Sequence, residues 1–187
     1  YLGDLYTPRS PEPLIKAVAQ ILQESPSLAS EVRFEIVGST YSLDLNAMGL
    51  NALPEGVITL HPSVKYLDSL ALMVNADGLL VIDAPAEISV FLPSKLIDYV
   101  GAGRPILGIT PRGTAAELIQ RLGGWVADPS DVPGVAATLR TFITFLRERQ
   151  HTTEPWGDPE LRRGDVCVEV VNQRQQSLGL AIPALRH

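Results

Sequence analysis

A candidate anion-binding site lies where a loop leads into a helix, at residues 94 to 98. The unpaired amides of a helix start and the positive end of its dipole favour a negatively charged ligand. Lys95 adds a full positive charge in this first turn, between Ser94 and Leu96. Asp98 follows about one turn later, near the same face, where it could accept hydrogen bonds from ribose hydroxyls. The pattern therefore predicts a site for a phosphate next to a ribose.

A structural explanation of these side chains is open as well. Ser94 would cap the helix, Lys95 would be a solvated surface residue, and Asp98 would be a favourable charge in the first turns. In the same region, Thr114 is expected to cap the next helix. The apolar side chains of the preceding loop are expected to serve packing rather than recognition: Ile88, Val90, Phe91 and Leu92.

Two other loops carry candidate binding residues. Gly3 ends an apolar segment and permits close backbone approach, and the guanidinium fork of Arg9 suits two phosphate oxygens. His61 follows an apolar run, and its ring could stack on a planar group or donate a hydrogen bond. The structural alternatives are an exposed turn residue for Arg9 and a turn at residues 61 to 63 for His61.

The elements that position these loops alternate between short apolar strands and amphipathic helices. We predict strands at 1–5, 32–37, 57–60, 79–82, 105–109 and 124–126, and helices at 12–23, 66–75, 94–101, 114–122 and 132–149. This alternation predicts an α/β fold, a doubly wound, mostly parallel, Rossmann-like sheet with helices on both faces. Ligands of such sheets bind beyond the carboxyl ends of the strands, so we expect a pocket there.

The chain divides into one domain and a tail. Residues 1–149 are predicted to form the Rossmann-like domain, the polar stretch 150–165 a linker, and 166–187 a C-terminal helix and tail, with no assignment for 179–187. An apolar strand at the first residues, with no polar segment before it, suggests a cut at a domain boundary.

Composition excludes several classes of protein. The net charge of −6 argues against nucleic acid as a partner, because phosphate backbones are met by basic surfaces. One cysteine and three histidines predict neither a disulfide framework nor a metal site, and they fit a cytoplasmic setting. We expect no membrane span, since no apolar run approaches roughly 20 residues, and no signal peptide, since no charged and then apolar leader opens the chain.

The stretch around Lys95 also resembles a family signature. A proline, a lysine, an acid, a tyrosine and A-x-G-x-P stand in order: Pro93, Lys95, Asp98, Tyr99, Ala102, Gly103 and Pro105. This resembles the nucleotide-diphosphate motif of the retaining, two-domain Rossmann-type glycosyltransferases of the GT-B fold (group 1, family 4-like), which act on UDP-, GDP- or ADP-sugars. The likeness continues through residues 73–80 and 124–129, and it covers about residues 1 to 146.

The resemblance implies a donor-binding C-terminal domain. Arg9 and Lys95 would be catalytic because they would stabilise the departing diphosphate, without a metal and without a cofactor beyond the donor sugar itself. The nucleotide sugar would be bound by both cations together with the other candidates: Gly3, His61, Ser94, Leu96 and Asp98. An N-terminal domain absent from this chain would hold the acceptor, so this fragment alone would be inactive. Peripheral association of the full-length protein with the cytoplasmic membrane face is also implied.

Two positions depart from the family pattern. Asp4 stands where many relatives have a second diphosphate-binding arginine. Val90 stands at the first acid of the E-x7-E pair, of which Asp98 is the second. A sugar-nucleotide epimerase of the same architecture and a non-catalytic nucleotide-binding or regulatory domain therefore remain as alternatives. The base, sugar, acceptor and oligomeric state stay open.

Overall fold

The computed structural model describes residues 1–149, 152 and 154–162. The helices are α1 (Glu12–Glu24), α2 (Tyr66–Asn75), α3 (Ser94–Ala102), α4 (Thr114–Arg121), α5 (Val132–Glu148) and α6 (Pro159–Arg162). The strands are β1 (Phe34–Val37), β2 (Ile58–His61), β3 (Leu79–Ile82), β4 (Ile106–Ile109) and β5 (Trp125–Ala127). Short 3-10 turns at Pro26–Ser30 and Leu50–Ala52 complete the set. The predicted alternation of strands and helices is confirmed from residue 12 to residue 148.

The strands pair in parallel in two ladders, β1 with β2 and β3–β4–β5 in that order. The predicted strand at residues 1–5 is wrong as a regular strand. It forms a single parallel bridge, Leu2 with Val37, and the Gly3 amide donates to the Val37 carbonyl at 2.9 Å. The reason is local, since Gly3 has a φ of +140° and interrupts the extended backbone.

Helices cover both faces of the strands. In β3, Leu80 and Ile82 pack into a core with α1 and α5, whereas Leu79 and Val81 pack into a second core with α2, α3 and α4. Burial on both faces explains why the sequence of this strand is wholly apolar rather than alternating. The doubly wound α/β class is therefore confirmed.

A cavity of about 600 Å³ lies between the two ladders. Its walls include Tyr1, Phe34, Leu79 and Phe142. Phe34 and Leu79 are the first residues of β1 and β3, so the cavity lies at the amino-terminal ends of the strands. The predicted ligand edge is the opposite one.

Part of the predicted linker packs on the domain. Trp156 and Leu161 join the second core, and the Trp156 amide donates to the Gly103 carbonyl at 2.7 Å. The domain boundaries stay a prediction, and the predicted C-terminal helix and tail lie outside the described residues. Among the described helices, none has both the length and the apolar character needed to cross a membrane.

Gly38 allows the first segment to lie against the end of β1. A Cβ atom on Gly38, which has a φ of +147°, would stand 2.0 Å from the Gly3 carbonyl oxygen. We expect Gly38→Ala to lower the free energy of unfolding by about 2 to 4 kcal/mol, because strain adds to overpacking. Urea denaturation would measure the change.

Gly56→Ala is the matched control, since Gly56 also has a positive φ, +84°, but nothing lies within 4 Å of the position that a Cβ atom would take there. We expect this control to lose only about 1 to 2 kcal/mol. Equal losses in the two variants would contradict the close backbone contact.

Candidate functional site

The loop of residues 83 to 93 joins β3 to α3 at the carboxyl end of the strands. Its middle is fixed to the turn before α4, because the Ser89 amide donates to the Arg112 carbonyl at 2.8 Å and the Thr114 amide donates to the Ser89 carbonyl at 3.0 Å. Gly113 is required here, since a Cβ on it would stand 1.9 Å from the Ser89 oxygen. These contacts anchor the loop that precedes α3 to the turn that precedes α4.

The predicted cap at Ser94 is wrong. Ser94 is the first residue of α3, and the capping position belongs to Pro93, whose side chain has no acceptor. The Leu96 amide donates to the Pro93 carbonyl at 2.9 Å, whereas the amides of Ser94 and Lys95 have no partner in the described part of the chain. Of the amides of the three candidate residues at the helix start, those of Ser94 and Lys95 are therefore left for an anion, and that of Leu96 is not.

Lys95 and Asp98 lie together, as expected from their spacing. The Nζ atom of Lys95 is 3.6 Å from Oδ2 of Asp98 and 3.3 Å from Oγ of Ser69. The same Nζ lies 5.1 Å from the ring centroid of Tyr66, and the Tyr66 hydroxyl donates to Oδ1 of Asp98 at 3.1 Å. Sequence reasoning missed Tyr66 and Ser69. The sequence offered one indication of this contact, which is that Tyr66 stands at the start of α2, the helix that follows β2.

Arg9 lies against the other end of the same loop. Its Nη2 is 3.3 Å from Oδ1 of Asp83, with side chains 19% and 5% exposed, and the Ala84 amide donates to the same oxygen at 2.9 Å. The guanidinium carbon is 5.2 Å from the ring centroid of Phe91 and 5.5 Å from that of Tyr6. Sequence reasoning did not pair Asp83 with Arg9, because 74 residues separate them along the chain.

The Tyr1 hydroxyl also lies near Arg9. Burial raises the pKa of Tyr1 to about 12, and the charge and hydrogen bond of Arg9 act in the opposite direction. A phenol with a raised pKa stays neutral at physiological pH, so Tyr1 adds a dipole and no charge to this cluster.

The expected convergence of two free cations takes a different form. Arg9 contacts the beginning of the loop of residues 83 to 93, and Lys95 follows its end, but each cation faces a carboxylate. Within the described residues, no hydrogen bond or ion pair joins the Arg9 cluster directly to the Lys95 cluster. The four charges, Arg9, Asp83, Lys95 and Asp98, sum to zero.

The remaining candidates have structural contacts. His61 was expected in a loop, but it is the last residue of β2, because the pairing of β2 with β1 extends to Val37. Its exposed ring has Nε2 3.3 Å from Oγ1 of Thr59. The Gly3 carbonyl lies against Gly38. The close backbone approach that was expected at Gly3 is therefore made to another part of this chain.

The departure at Asp4 has a structural explanation, since its carboxylate accepts a hydrogen bond from the Ser39 amide at 2.8 Å. Asp4 thereby fixes the loop that follows β1. No role as a phosphate ligand is needed to account for this residue.

One packing expectation, for the apolar loop, and one capping expectation, for Thr114, need correction. Ile88, Val90 and Phe91 are exposed because the loop crosses the surface, and only Leu92 packs against the second core. The Thr114 hydroxyl does not cap α4, whose capping residue is Gly113; it donates to the Val90 carbonyl at 3.2 Å.

A metal site is not built into this region. No group of three or more His, Cys, Asp or Glu side chains in residues 1–149, 152 and 154–162 is arranged to hold a metal ion.

Comparison with known proteins gives likenesses of structure only. No family model and no curated protein matches the sequence. The α,α-trehalose-phosphate synthase (UDP-forming) from Burkholderia xenovorans matches with a TM-score of 0.62 and 18% identity, over 93% of this chain and 41% of that chain. HepE from Anabaena, solved in complex with UDP-glucose, matches with a TM-score of 0.58 and 17% identity, over 96% and 48%.

WaaG, a glycosyltransferase involved in lipopolysaccharide biosynthesis, matches with a TM-score of 0.56 and 19% identity, over 89% of this chain and 45% of that chain. The chain spans less than half the length of each of these three proteins. They share its fold, which fits the C-terminal, Rossmann-like half of the two-domain GT-B architecture.

Titration of Tyr66 tests the cluster at α3. The hydrogen bond to the Asp98 carboxylate, with the charge of that group, raises the pKa of Tyr66 above 10.0 because both favour the neutral phenol. We expect Asp98→Asn to bring this pKa back towards its ordinary value. NMR of ring-labelled tyrosines would measure it, with Tyr66→Phe identifying the signal.

Asp68→Asn is the control, since it removes a carboxylate from the same helix and leaves the Tyr66–Asp98 bond in place. A Tyr66 pKa that is indifferent to Asp98→Asn would show that the two side chains do not meet.

Proposed function

We propose that this chain is the donor-binding half of a glycosyltransferase and binds a UDP-, GDP- or ADP-linked sugar. The observation that carries the proposal is the pairing of Lys95 with Asp98 at the first turn of α3. This turn stands at the carboxyl edge of a fold that proteins solved with UDP or UDP-glucose share. A cation for the diphosphate and a carboxylate for the ribose are what such a ligand requires.

The proposed chemistry is stabilisation of a leaving group. When the bond from the anomeric carbon to the diphosphate breaks, the electron pair stays on the diphosphate oxygen, whose negative charge grows. Lys95, Arg9 and the free amides of Ser94 and Lys95 would interact more strongly with this charge in the transition state than in the ground state. In this proposal Asp98 accepts from the ribose and His61 contacts the base, whereas Leu96 and Gly3 act only through packing, since Leu96 is buried and Gly3 lies against Gly38.

The remaining parts of the proposal concern the whole protein. Transfer would need no metal, because protein cations meet the diphosphate, and no cofactor beyond the donor. An N-terminal domain would supply the acceptor, and this chain alone would transfer nothing. We further propose a cytoplasmic protein with peripheral membrane association and without nucleic-acid partners.

A non-catalytic nucleotide-binding domain is the second candidate. Val90, at the position of the first family acid, is 61% exposed, and its side chain offers no hydrogen-bonding group to a sugar. Incubation of the full-length protein with a nucleotide sugar and acceptor separates the candidates. Glycosyl transfer would support the main proposal. Release of an epimerised nucleotide sugar would support an isomerase. Binding of the nucleotide sugar without any turnover would support the second candidate.

Lys95→Ala tests the diphosphate site. We expect calorimetric titration with UDP, GDP and ADP to find one that binds, and the substitution to weaken that binding by about 1.5 to 3 kcal/mol, the scale of a hydrogen bond to a charged group. Lys16→Ala, which removes the same charge from a surface pair with Glu12, should leave affinity unchanged. Equal affinities of wild type and Lys95→Ala would refute the assignment.

A further inference from the structure

The ion pair between Arg9 and Asp83 leaves two complementary atoms without partners. One contact is made, from Nη2 of Arg9 to Oδ1 of Asp83 at 3.3 Å. Nε of Arg9 and Oδ2 of Asp83 are both buried and have no hydrogen-bond partner among the described residues. They are the donor and the acceptor that a second, parallel bond between the same two side chains would use.

A guanidinium group can hold a carboxylate side-on, through Nε and Nη2 together. Because Nη2 already contacts Oδ1 of Asp83, a rotation that brings Nε to Oδ2 would complete the fork and satisfy both orphan atoms. The strong penalty for an unpaired buried polar atom favours that rotation. Nη1 then lies on the opposite edge of the guanidinium, away from Asp83.

Two aromatic rings contact the guanidinium as well. The rings of Phe91 and Tyr6 stand 5.2 and 5.5 Å from its central carbon. Asp83 is the residue directly after β3 and is 5% exposed, so its carboxylate is a fixed point at the carboxyl edge. These contacts restrict the rotamers that the long side chain of Arg9 can adopt.

We infer that Asp83 is a positioning residue, which grips Arg9 side-on and aims the other edge of its guanidinium at the donor diphosphate. This inference rests on the proposed function. Asp83 itself touches no substrate. Its effect runs against simple electrostatics, because a carboxylate beside Arg9 reduces the net positive charge that a diphosphate meets.

That opposition makes Asp83→Asn decisive. The nucleoside diphosphate that binds the wild-type chain most tightly is titrated into wild type, Asp83→Asn, Arg9→Gln and the double variant. If Asp83 positions Arg9, each single substitution weakens binding about 10-fold, and the double variant binds no more weakly than Arg9→Gln. The variants should differ less in their affinity for the corresponding nucleoside monophosphate than in their affinity for the diphosphate.

Tighter binding by Asp83→Asn would overturn the inference, since Asp83 would then act only as a neutralising charge. Unchanged affinity would overturn it as well. Glu31→Gln, which breaks the Arg147–Glu31 surface pair, is the control and should bind as wild type does. If Asp83→Asn does not fold, Arg9→Lys decides, because lysine keeps the charge and lacks the fork; wild-type affinity in that variant would refute the inference.

Failure of the proposed function would look different. A wild-type chain that binds none of UDP, GDP and ADP overturns the donor site and this inference with it. Binding by the wild type without coupling between Arg9 and Asp83 overturns the inference alone.

Discussion

The connection between β3 and α3 is held in place at three points, and the site depends on this. Asp83 is tied to Arg9 at its beginning, Ser89 is hydrogen-bonded to the turn before α4 in its middle, and Leu92 packs against the second core before the helix begins. Because the carboxyl ends of parallel strands meet at one edge, fixing this connection sets the direction of α3. The free amides of Ser94 and Lys95 and the side chain of Lys95 are then oriented together.

Charge at this edge is balanced rather than simply positive. Lys95 faces Asp98, and Arg9 faces Asp83, so a bound diphosphate would compete with carboxylates that already occupy part of each cation. Paired cations attract a distant anion only weakly, but they are held in a defined geometry. A chain with a net charge of −6 does not attract anions over long distances either, so binding would depend on contacts within the site. The pairing also explains why the cations can stand close to buried groups: an unpaired charge there would be destabilising.

The sequence predicted the parts of the structure that follow from periodicity and spacing. Helix α2 and strand β3 have the predicted limits, and the proximity of Lys95 to Asp98 follows from three residues of helical separation. The failures have tertiary causes. Tyr66 reaches Asp98 only because α2 packs beside α3, and Asp83 meets Arg9 only because two distant loops share an edge. Spacing along the chain contains no such information.

Local errors were of another kind. The first strand was predicted from a short apolar segment that leads into a turn, but the positive φ of Gly3 reduces it to one bridge. The caps expected at Ser94 and Thr114 fall one residue too late, since Pro93 and Gly113 occupy the capping positions without a side-chain acceptor. Propensity names the residue types that favour a helix start, while the neighbouring hydrogen bonds decide the position.

The most direct test of this account is a crystal structure of the chain with the nucleoside diphosphate bound. We expect the diphosphate at the first turn of α3, within hydrogen-bond distance of Lys95 Nζ and the Ser94 and Lys95 amides, with the ribose at Asp98. A diphosphate bound instead in the cavity at the amino-terminal ends of β1 and β3, with Lys95 still paired only to Asp98, would contradict it.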